Sequence, residues 1–290
     1  MASQGDPRTL KSVSDTALLV AHHRAMESAR ADALFRDPYA QRLAGDRGEE
    51  IARRLRWGKR TAWSTITRTV LLDEIVLRLA GEGVDTVLNL AAGLDARPYR
   101  LAFPASLRWV EMDFPAMTAA KAELLAGDTP RCKLERVGVD LADVVQRNQA
   151  LADLAGGMKK ALVMTEGLLV YLNRTIVTEL ARDLYQQPAM QYWVTDLASP
   201  VILRRMQKWW GKQMKAANAW MDFAPPEGTK FFEPLGWREV EFHDLFLNSL
   251  RLNRPMPMAW MFKWLMKLFP THAAKNLAKW RSGVVLLERK

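Results

Sequence analysis

The sequence predicts an open, doubly wound, mostly parallel α/β sheet of seven strands, and three observations carry that prediction. From Val84 onward, apolar runs of strand length alternate with segments of helical periodicity. The stretch Val84–Asp113 reads as a strand, a tight small-residue turn and a second strand ending on an acid about 20 residues after the turn. That is the pattern of a nucleotide- or nucleoside-binding first crossover. Late in the chain, two strands separated by a long insertion break the repetition, which suits an antiparallel edge pair with a lid between its members.

Taken in order, Ser14–Leu43 has helical spacing at Ala17, Leu18, Ala21, Ala25, Met26 and Ala29, a cap candidate at Ser14/Asp15, and a break at Asp37-Pro38-Tyr39, where proline disfavours helix before it. Helices over Gly48–Arg56 and Ala62–Leu79 follow, and the second carries Arg68 among Ile66, Val70 and Leu71. A guanidinium on so apolar a surface either snorkels to water or is held by an anion. The strand Val84–Leu90, the turn Ala91-Ala92-Gly93, a short amphipathic segment and the strand Leu107–Met112 come next. Phe114–Leu125 is a helix with proline at its second position, where a missing N–H costs nothing. The strand Arg131–Val139 runs into Asp140-Leu141, the helix Leu141–Leu154 stops at Gly156-Gly157, and the buried strand Ala161–Thr165 leads into Glu166-Gly167. Beyond the helix Thr175–Gln186 and the strand Met190–Asp196, the expected elements are a helix over Ser199–Trp220, a loop at Pro225–Gly228, a turn at Leu235–Arg238 feeding a strand through Phe242, and a last strand over Gly283–Arg289. The expected organisation is an N-terminal helical cap (1–80) and a Rossmann-like domain (81–290) with lid insertions at about 199–225 and 246–281, forming one compact unit.

Composition bounds the function. The 290 residues are 49% hydrophobic and 26% charged, which excludes a largely disordered chain. The single cysteine, Cys132, excludes an intrachain disulfide and a cysteine-based zinc cluster; no metal site is expected. A polar N-terminal stretch without the apolar core of a signal peptide, and no run near the roughly 20 apolar residues of a membrane span, lead us to expect a cytoplasmic protein. The net charge of +10 sits mostly late, on Arg204, Arg205, Lys208, Lys212 and Lys215 of one helix and on Lys263, Lys267, Lys275, Lys279, Arg281, Arg289 and Lys290. Such a surplus raises nucleic acid or anionic membrane as partners, although a charge run is ordinarily a solvated helix face.

In an open α/β sheet the ligand crevice lies outside the carboxyl ends of the strands, so Asp113, Asp140 and Glu166 should converge on one cleft. Each could equally cap the helix that follows; the repetition favours a site. No phosphate-cradling motif is present. With one glycine in the turn, no basic residue fixed beside it and carboxylates around it, a pyrophosphate is poorly served and a cationic nucleoside well served. S-adenosylmethionine, with a sulfonium, a ribose diol and an amino-acid tail, fits. Asp113 can accept the ribose hydroxyls, Asp140 can face the adenine amino group, and Arg68 can pair with the ligand carboxylate.

The segments Val13–Leu43 with Asp37-Pro38-Tyr39-Ala40, Arg68-Thr69 followed by Leu72-Asp73-Glu74, LNLAAGLDARPYRL, VEMDFP, Asp140-Leu141 and Glu166 through Leu172 together resemble the leucine carboxyl methyltransferase superfamily, in its bacterial branch of S-adenosylmethionine-dependent O-methyltransferases. The resemblance runs from about Val13 through Leu172, with looser support at Leu235-Gly236-Trp237. It implies a class I methyltransferase sheet, with Arg68 on the cofactor carboxylate and the turn Ala91–Gly93 against the amino-acid moiety. It also implies Asp113 on the ribose, Asp140 and Leu141 on the adenine, and Glu166 at the methionine end. The family turn is usually Gly-Ala-Gly followed by Leu-Asp-Thr-Arg, whereas this chain has Ala91 and Ala96, which bears on cofactor affinity. Val70 or Leu71 stands where a basic or aromatic residue is common, which points to a more apolar acceptor.

Methyl transfer needs chiefly that acceptor oxygen and methyl carbon be held in line. A carboxylate acceptor is already ionised and a hydroxyl would want a base, for which His243, His22 and His23 are the candidates by type, with Tyr171 as an orienting group; none is assigned as the base. Met256–Phe269, rich in Met and Trp, is either an ordinary core face or an adaptable pocket for a lipophilic acceptor, and its interleaved lysines also suit peripheral contact with a membrane. Three functions compete. The leading one is a carboxyl or hydroxyl O-methyltransferase acting on a small, apolar molecule. The others are a nucleic-acid methyltransferase, which lacks a base-flipping motif, and a non-catalytic module that binds membrane or partner through the basic C-terminal region. No nucleic-acid partner is expected.

Overall fold

The computed structural model describes residues 13–54, 61–216, 220–261 and 280–290. Three helices lead, α1 (Val13–Ser28), α2 (Ala40–Arg54) and α3 (Ala62–Gly81), followed by β1 (Thr86–Leu90), α4 (Arg97–Arg100), β2 (Arg108–Asp113) and α5 (Pro115–Leu124). Then come β3 (Lys133–Gly138), α6 (Val144–Leu154), β4 (Ala161–Thr165), α7 (Arg174–Tyr185), β5 (Met190–Leu197), α8 (Pro200–Ala216), β6 (Trp237–Asp244), α9 (Leu245–Arg251) and β7 (Gly283–Arg289). Single 3₁₀ segments at Leu169–Tyr171 and Gly228–Leu235 join β4 to α7 and precede β6.

The seven strands lie in the order β3-β2-β1-β4-β5-β7-β6, parallel except for β7, which runs antiparallel to both β5 and β6. This is the expected doubly wound sheet with its antiparallel edge pair. The order reverses between β1 and β4, the place at which an open sheet of this kind ordinarily leaves a ligand crevice outside its carboxyl ends. β1 and β4 are buried along their whole length, as strands covered on both faces must be. On one face α6 and α7 pack with Trp193, Phe232 and Trp237. On the other, Leu71, Leu72, Ile75, Val76 and Leu79 of α3 lie over Val87, Trp109, Leu162 and Val194. α3 therefore closes the N-terminal helical segment and also forms a layer of the sheet core. α1 and α2 pack through Ala21, Leu43 and Ala44 onto Leu94, Ala96 and Tyr99 in the β1–β2 connection.

Several boundaries differ from expectation: the helix expected over Gly48–Arg56 is Ala40–Arg54, kinked at Gly45, and two further differences have identifiable reasons. The helix predicted from Ser14 stops at Ser28, and the alanines that follow are drawn into a loop fastened by polar groups. The Glu27 carboxylate accepts the Leu34 N–H at 2.8 Å, Ser28 Oγ accepts the Asp37 N–H at 2.8 Å, and Arg24 pairs with Asp37 at 2.9 Å. The helix expected from Leu141 begins at Val144, because the Asp143 side chain accepts the Val145 and Gln146 N–H groups as its N-cap. The helix expected to reach Trp220 is described as far as Ala216. Much of the Met256–Phe269 lid, and Lys263, Lys267, Lys275 and Lys279, lie outside the described residues. Among the described residues no helix is long and apolar enough to cross a membrane.

Candidate cofactor site

At the carboxyl end of β1 the chain turns through Ala91, Ala92 and Gly93, and the N–H groups of Ala91 and Ala92 donate to the Met112 carbonyl of β2 at 2.8 and 3.4 Å. Ala91 has φ 54° and Gly93 φ 48°, both left-handed. Gly93 meets that requirement without steric cost, and a Cβ there would lie 3.4 Å from Ala17 Cβ, so α1 presses on the turn. Ala91 adopts the same conformation with a methyl group, at a cost of about 1 kcal/mol.

Of the strand-end carboxylates, Asp113 is tied directly to this turn. Asp113, 9% exposed, accepts the Gly93 N–H at 2.6 Å on one oxygen and its neighbour Phe114 N–H at 2.7 Å on the other. Burial raises its pKa against the lowering effect of those two donors. Asp140 accepts the Ala142 N–H at 2.9 Å through Oδ1, a local cap, and Leu141 contributes its carbonyl to Arg147 at 2.7 Å.

Glu166, following β4, is gripped on both oxygens: Arg68 Nε donates to Oε1 at 3.0 Å and Arg97 Nη1 to Oε2 at 2.8 Å. Burial alone would raise this carboxyl's pKa, but Arg97 and Arg68 outweigh it and hold the group below the ordinary range. Arg68 also donates through Nη1 to Asp196, the last acid of β5, at 3.1 Å, and Asp196 fixes the Gly167 N–H at 2.6 Å. Gly167 has φ 66°, and a Cβ there would stand 3.5 Å from the Arg68 guanidinium. Of the two sequence alternatives for Arg68, the structure shows the anion-held one. Its Nη2 donates to nothing among the described residues, which leaves a donor edge for a further carboxylate.

Behind this layer lies a second one that the sequence reading did not assign. Arg97, buried, binds Asp73 at 2.7 Å and Asp95 at 3.0 Å besides Glu166, Asn89 of β1 donates to Asp95 at 2.9 Å, and Arg100 grips both oxygens of Asp73 at 2.6 and 2.7 Å. Burial alone would raise the Asp95 pKa, but Arg97, Lys121, Arg24 and Arg100 outweigh it and hold the group well below its ordinary range. Asp196 was open to the same reading as the other strand-end acids; Asp73, Asp95 and Arg97 showed only as letters of the motifs LLDE and LDARPYR.

Tyr171 ends the 3₁₀ turn after Glu166. Burial raises its pKa above the ordinary phenol value, its hydroxyl bonds the Thr16 side chain of α1, and Arg68 and Asp196 are within electrostatic reach. His243 stands apart, on edge strand β6 two strands beyond β5, with Nε2 2.8 Å from Glu241. His22 and His23 are buried in α1, the latter 3.1 Å from Thr65 Oγ1. Among the described residues no acid, histidine and cysteine cluster could hold a metal.

A sheet of this order, with its reversed seventh strand, is the class I methyltransferase fold. Over 95% of this chain and 97% of the other it resembles, at TM-score 0.62 and 14% identity, the crystal structure of a domain-of-unknown-function family protein from Streptomyces avermitilis. It also resembles, at TM-score 0.58 and 15% identity over 97% and 96% of the chains, one from Thermobifida fusca named as a methyltransferase. The profile of the family described as leucine carboxyl methyltransferase matches residues 17–185. A protein of Streptomyces coelicolor named as an S-adenosyl-L-methionine-dependent methyltransferase is 33% identical over 254 residues, covering 83% of this chain and 88% of its own. The chain belongs to the leucine carboxyl methyltransferase family, and it is an S-adenosyl-L-methionine-dependent methyltransferase.

Proposed function

We propose that the chain methylates an oxygen, a carboxylate or hydroxyl, of a small apolar acceptor. One observation carries the acceptor's character. Beside the charged end of the site, Leu203 and Met206 of α8, Met221 and Ala224 after it, Leu18 and Leu19 of α1 and Val170 with Tyr171 form one apolar cluster with Ile51. A wall that is apolar throughout and includes the adaptable Met206 and Met221 suits lipophilic molecules and serves polar ones badly.

In this reading S-adenosyl-L-methionine supplies an activated methyl group on a cationic sulfur, and the chain's own residues bind and orient. Arg68 offers its unpaired Nη2 edge to the amino-acid carboxylate while Glu166 and Asp196 keep the guanidinium from swinging. Asp113, pinned by two N–H donors, directs its remaining lone pairs at the ribose hydroxyls. The free oxygen of Asp140 and the backbone of Leu141 serve the adenine. Ala91 and Gly93 let the backbone approach the amino-acid end. Tyr171 keeps its proton at neutral pH, since burial pushes its pKa up, so it serves as a hydrogen-bond donor to the acceptor oxygen and not as a base. A carboxylate acceptor then needs no base at all.

The test is release of S-adenosylhomocysteine over a matched panel of short- and long-chain carboxylic acids, phenols and aliphatic alcohols. Turnover that rises with acceptor chain length, and falls at least tenfold in Leu203→Lys, is the expected result. Turnover confined to polar acceptors or to amines would overturn the proposal.

A further inference from the structure

The net charge of +10 has a single source. Of the 42 Lys and Arg, ten lie in the stretches 200–221 and 255–287, which contain no Asp or Glu; the other 32 equal the 32 acids of the chain. The same two stretches hold six of the 11 tryptophans. At its described end the second stretch meets the first: Arg205 lies over the Trp280 ring at 4.1 Å, and Ser282 Oγ accepts the N–H of Ser199, just ahead of α8, at 2.9 Å.

α8 shows how that surplus is presented. It buries Leu203 against the acceptor wall and turns Arg204, Arg205, Lys208 and Lys215 outward on one face. Arg204, Arg205, Lys208 and Lys215 make no ion pair among the described residues. A solvated helix face would ordinarily interleave acids with these cations. Among them Trp209 is 49% exposed, and Trp220, just beyond, is 36% exposed with Lys215 Nζ over its ring at 4.7 Å. Exposed indoles set beside unpaired cations are the side chains that settle at the headgroup level of a bilayer.

We propose that the outer face of α8 docks on a membrane surface rich in anionic phospholipid. Charge complementarity selects the anionic lipid, because each cation near such a surface adds to the attraction. Nucleic acid is the poorer occupant. Phosphates and guanine edges would accept the same cations, but the inner side of this helix carries the apolar Leu203 and Met206, which suit a lipid source of ligand better than a nucleic acid. Docking on this face sets the apolar wall of the acceptor site on the inner side of the same helix, directly behind the lipid contact.

The experiment is co-sedimentation of the full chain with vesicles of phosphatidylcholine alone and of phosphatidylcholine with one-third phosphatidylglycerol, alongside a duplex and a single-stranded oligonucleotide as competitors. Expected are binding to the anionic vesicles only, weakening with added salt, and a loss of at least about tenfold in Arg204→Glu/Lys208→Glu/Lys215→Glu. A Trp209→Ala/Trp220→Ala variant, which keeps the charge, should bind more weakly and lose energy transfer to a dansyl lipid. An unchanged circular-dichroism spectrum and melting temperature show that the variants fold. No binding to anionic vesicles, equal binding to both vesicle types, triple reversal without effect, or release by oligonucleotide at lower concentration than the lipid would each overturn the proposal. None of these readouts uses methyl transfer, so the acceptor assignment stands or falls separately.

Discussion

Ala91 is the residue at which this chain departs from its family's usual turn, and the structure gives the departure a physical cost. A non-glycine residue at φ 54° is strained whatever surrounds it. Ala91→Gly should therefore stabilise the fold by up to about 1 kcal/mol, raising the melting temperature by roughly 2–4 °C. It should also tighten S-adenosylmethionine binding in calorimetry if the methyl group crowds the ligand; a lower melting temperature would show that the strain is compensated elsewhere. Asp113 makes a different prediction. Its carboxyl is raised by burial, so it takes up a proton at a higher pH than an ordinary aspartate and then loses an acceptor. Cofactor affinity should fall as the pH drops toward the acid range, earlier than an ordinary carboxylate would dictate. Asp113→Asn should bind at least tenfold more weakly and lose most of that pH dependence while melting normally. An affinity profile unchanged by the substitution would remove Asp113 from the ribose subsite.

The elements are joined at the site by charge, not by apolar packing alone. Arg68 and Asp73 of α3, Arg97 and Arg100 of α4, Glu166 after β4 and Asp196 of β5 form one continuous ionic network, with Arg100 leading on toward Asp37 at 3.8 Å. Removing one member strands its partners without solvent. Arg97→Met should cost about 3–5 kcal/mol in chemical denaturation, far more than a surface ion pair. A cost below about 1 kcal/mol would mean that the three acids find other partners or protonate. The low pKa of Glu166 makes its share of this stability complete above the ordinary carboxyl range and lost as the pH falls below that range through the group's own lowered pKa.

This network also marks how far the sequence could be read. Strands, their order of acids and the antiparallel pair follow from period, length and turn chemistry, which are local. That Asp113, Asp140 and Glu166 stand at or just after the carboxyl ends of their strands follows from those local readings. Which arginine meets which acid depends on contacts such as Arg68 with Asp196, 128 positions apart, and no periodicity reports those. The earlier part of the loop, Ala29–Arg36, ahead of the expected break at Asp37-Pro38-Tyr39, was missed for the opposite reason: its alanines favour helix locally, and long side chains such as Glu27 and Arg24 overrule them.

At the scale of the whole molecule, a ligand that binds the folded chain alone must raise its melting temperature. S-adenosylmethionine at about 100 times its dissociation constant should add about 2.7 kcal/mol, a rise of roughly 5–10 °C, and Arg68→Ala should abolish the rise. A rise of the same size in that variant would place the amino-acid carboxylate away from Arg68. Topology adds a consequence for how such a chain comes to be folded. β7 follows both of its neighbours in sequence yet lies between them, hydrogen-bonded to β5 on one side and β6 on the other and buried over Gly283–Leu287. A chain growing from its N-terminus can lay down β3, β2, β1, β4 and β5 as one sheet, but it must hold β6 unpaired until the strand that belongs inside has been made. Synthesis thus passes through a stage in which the edge of β5 stands open to any strand that reaches it first.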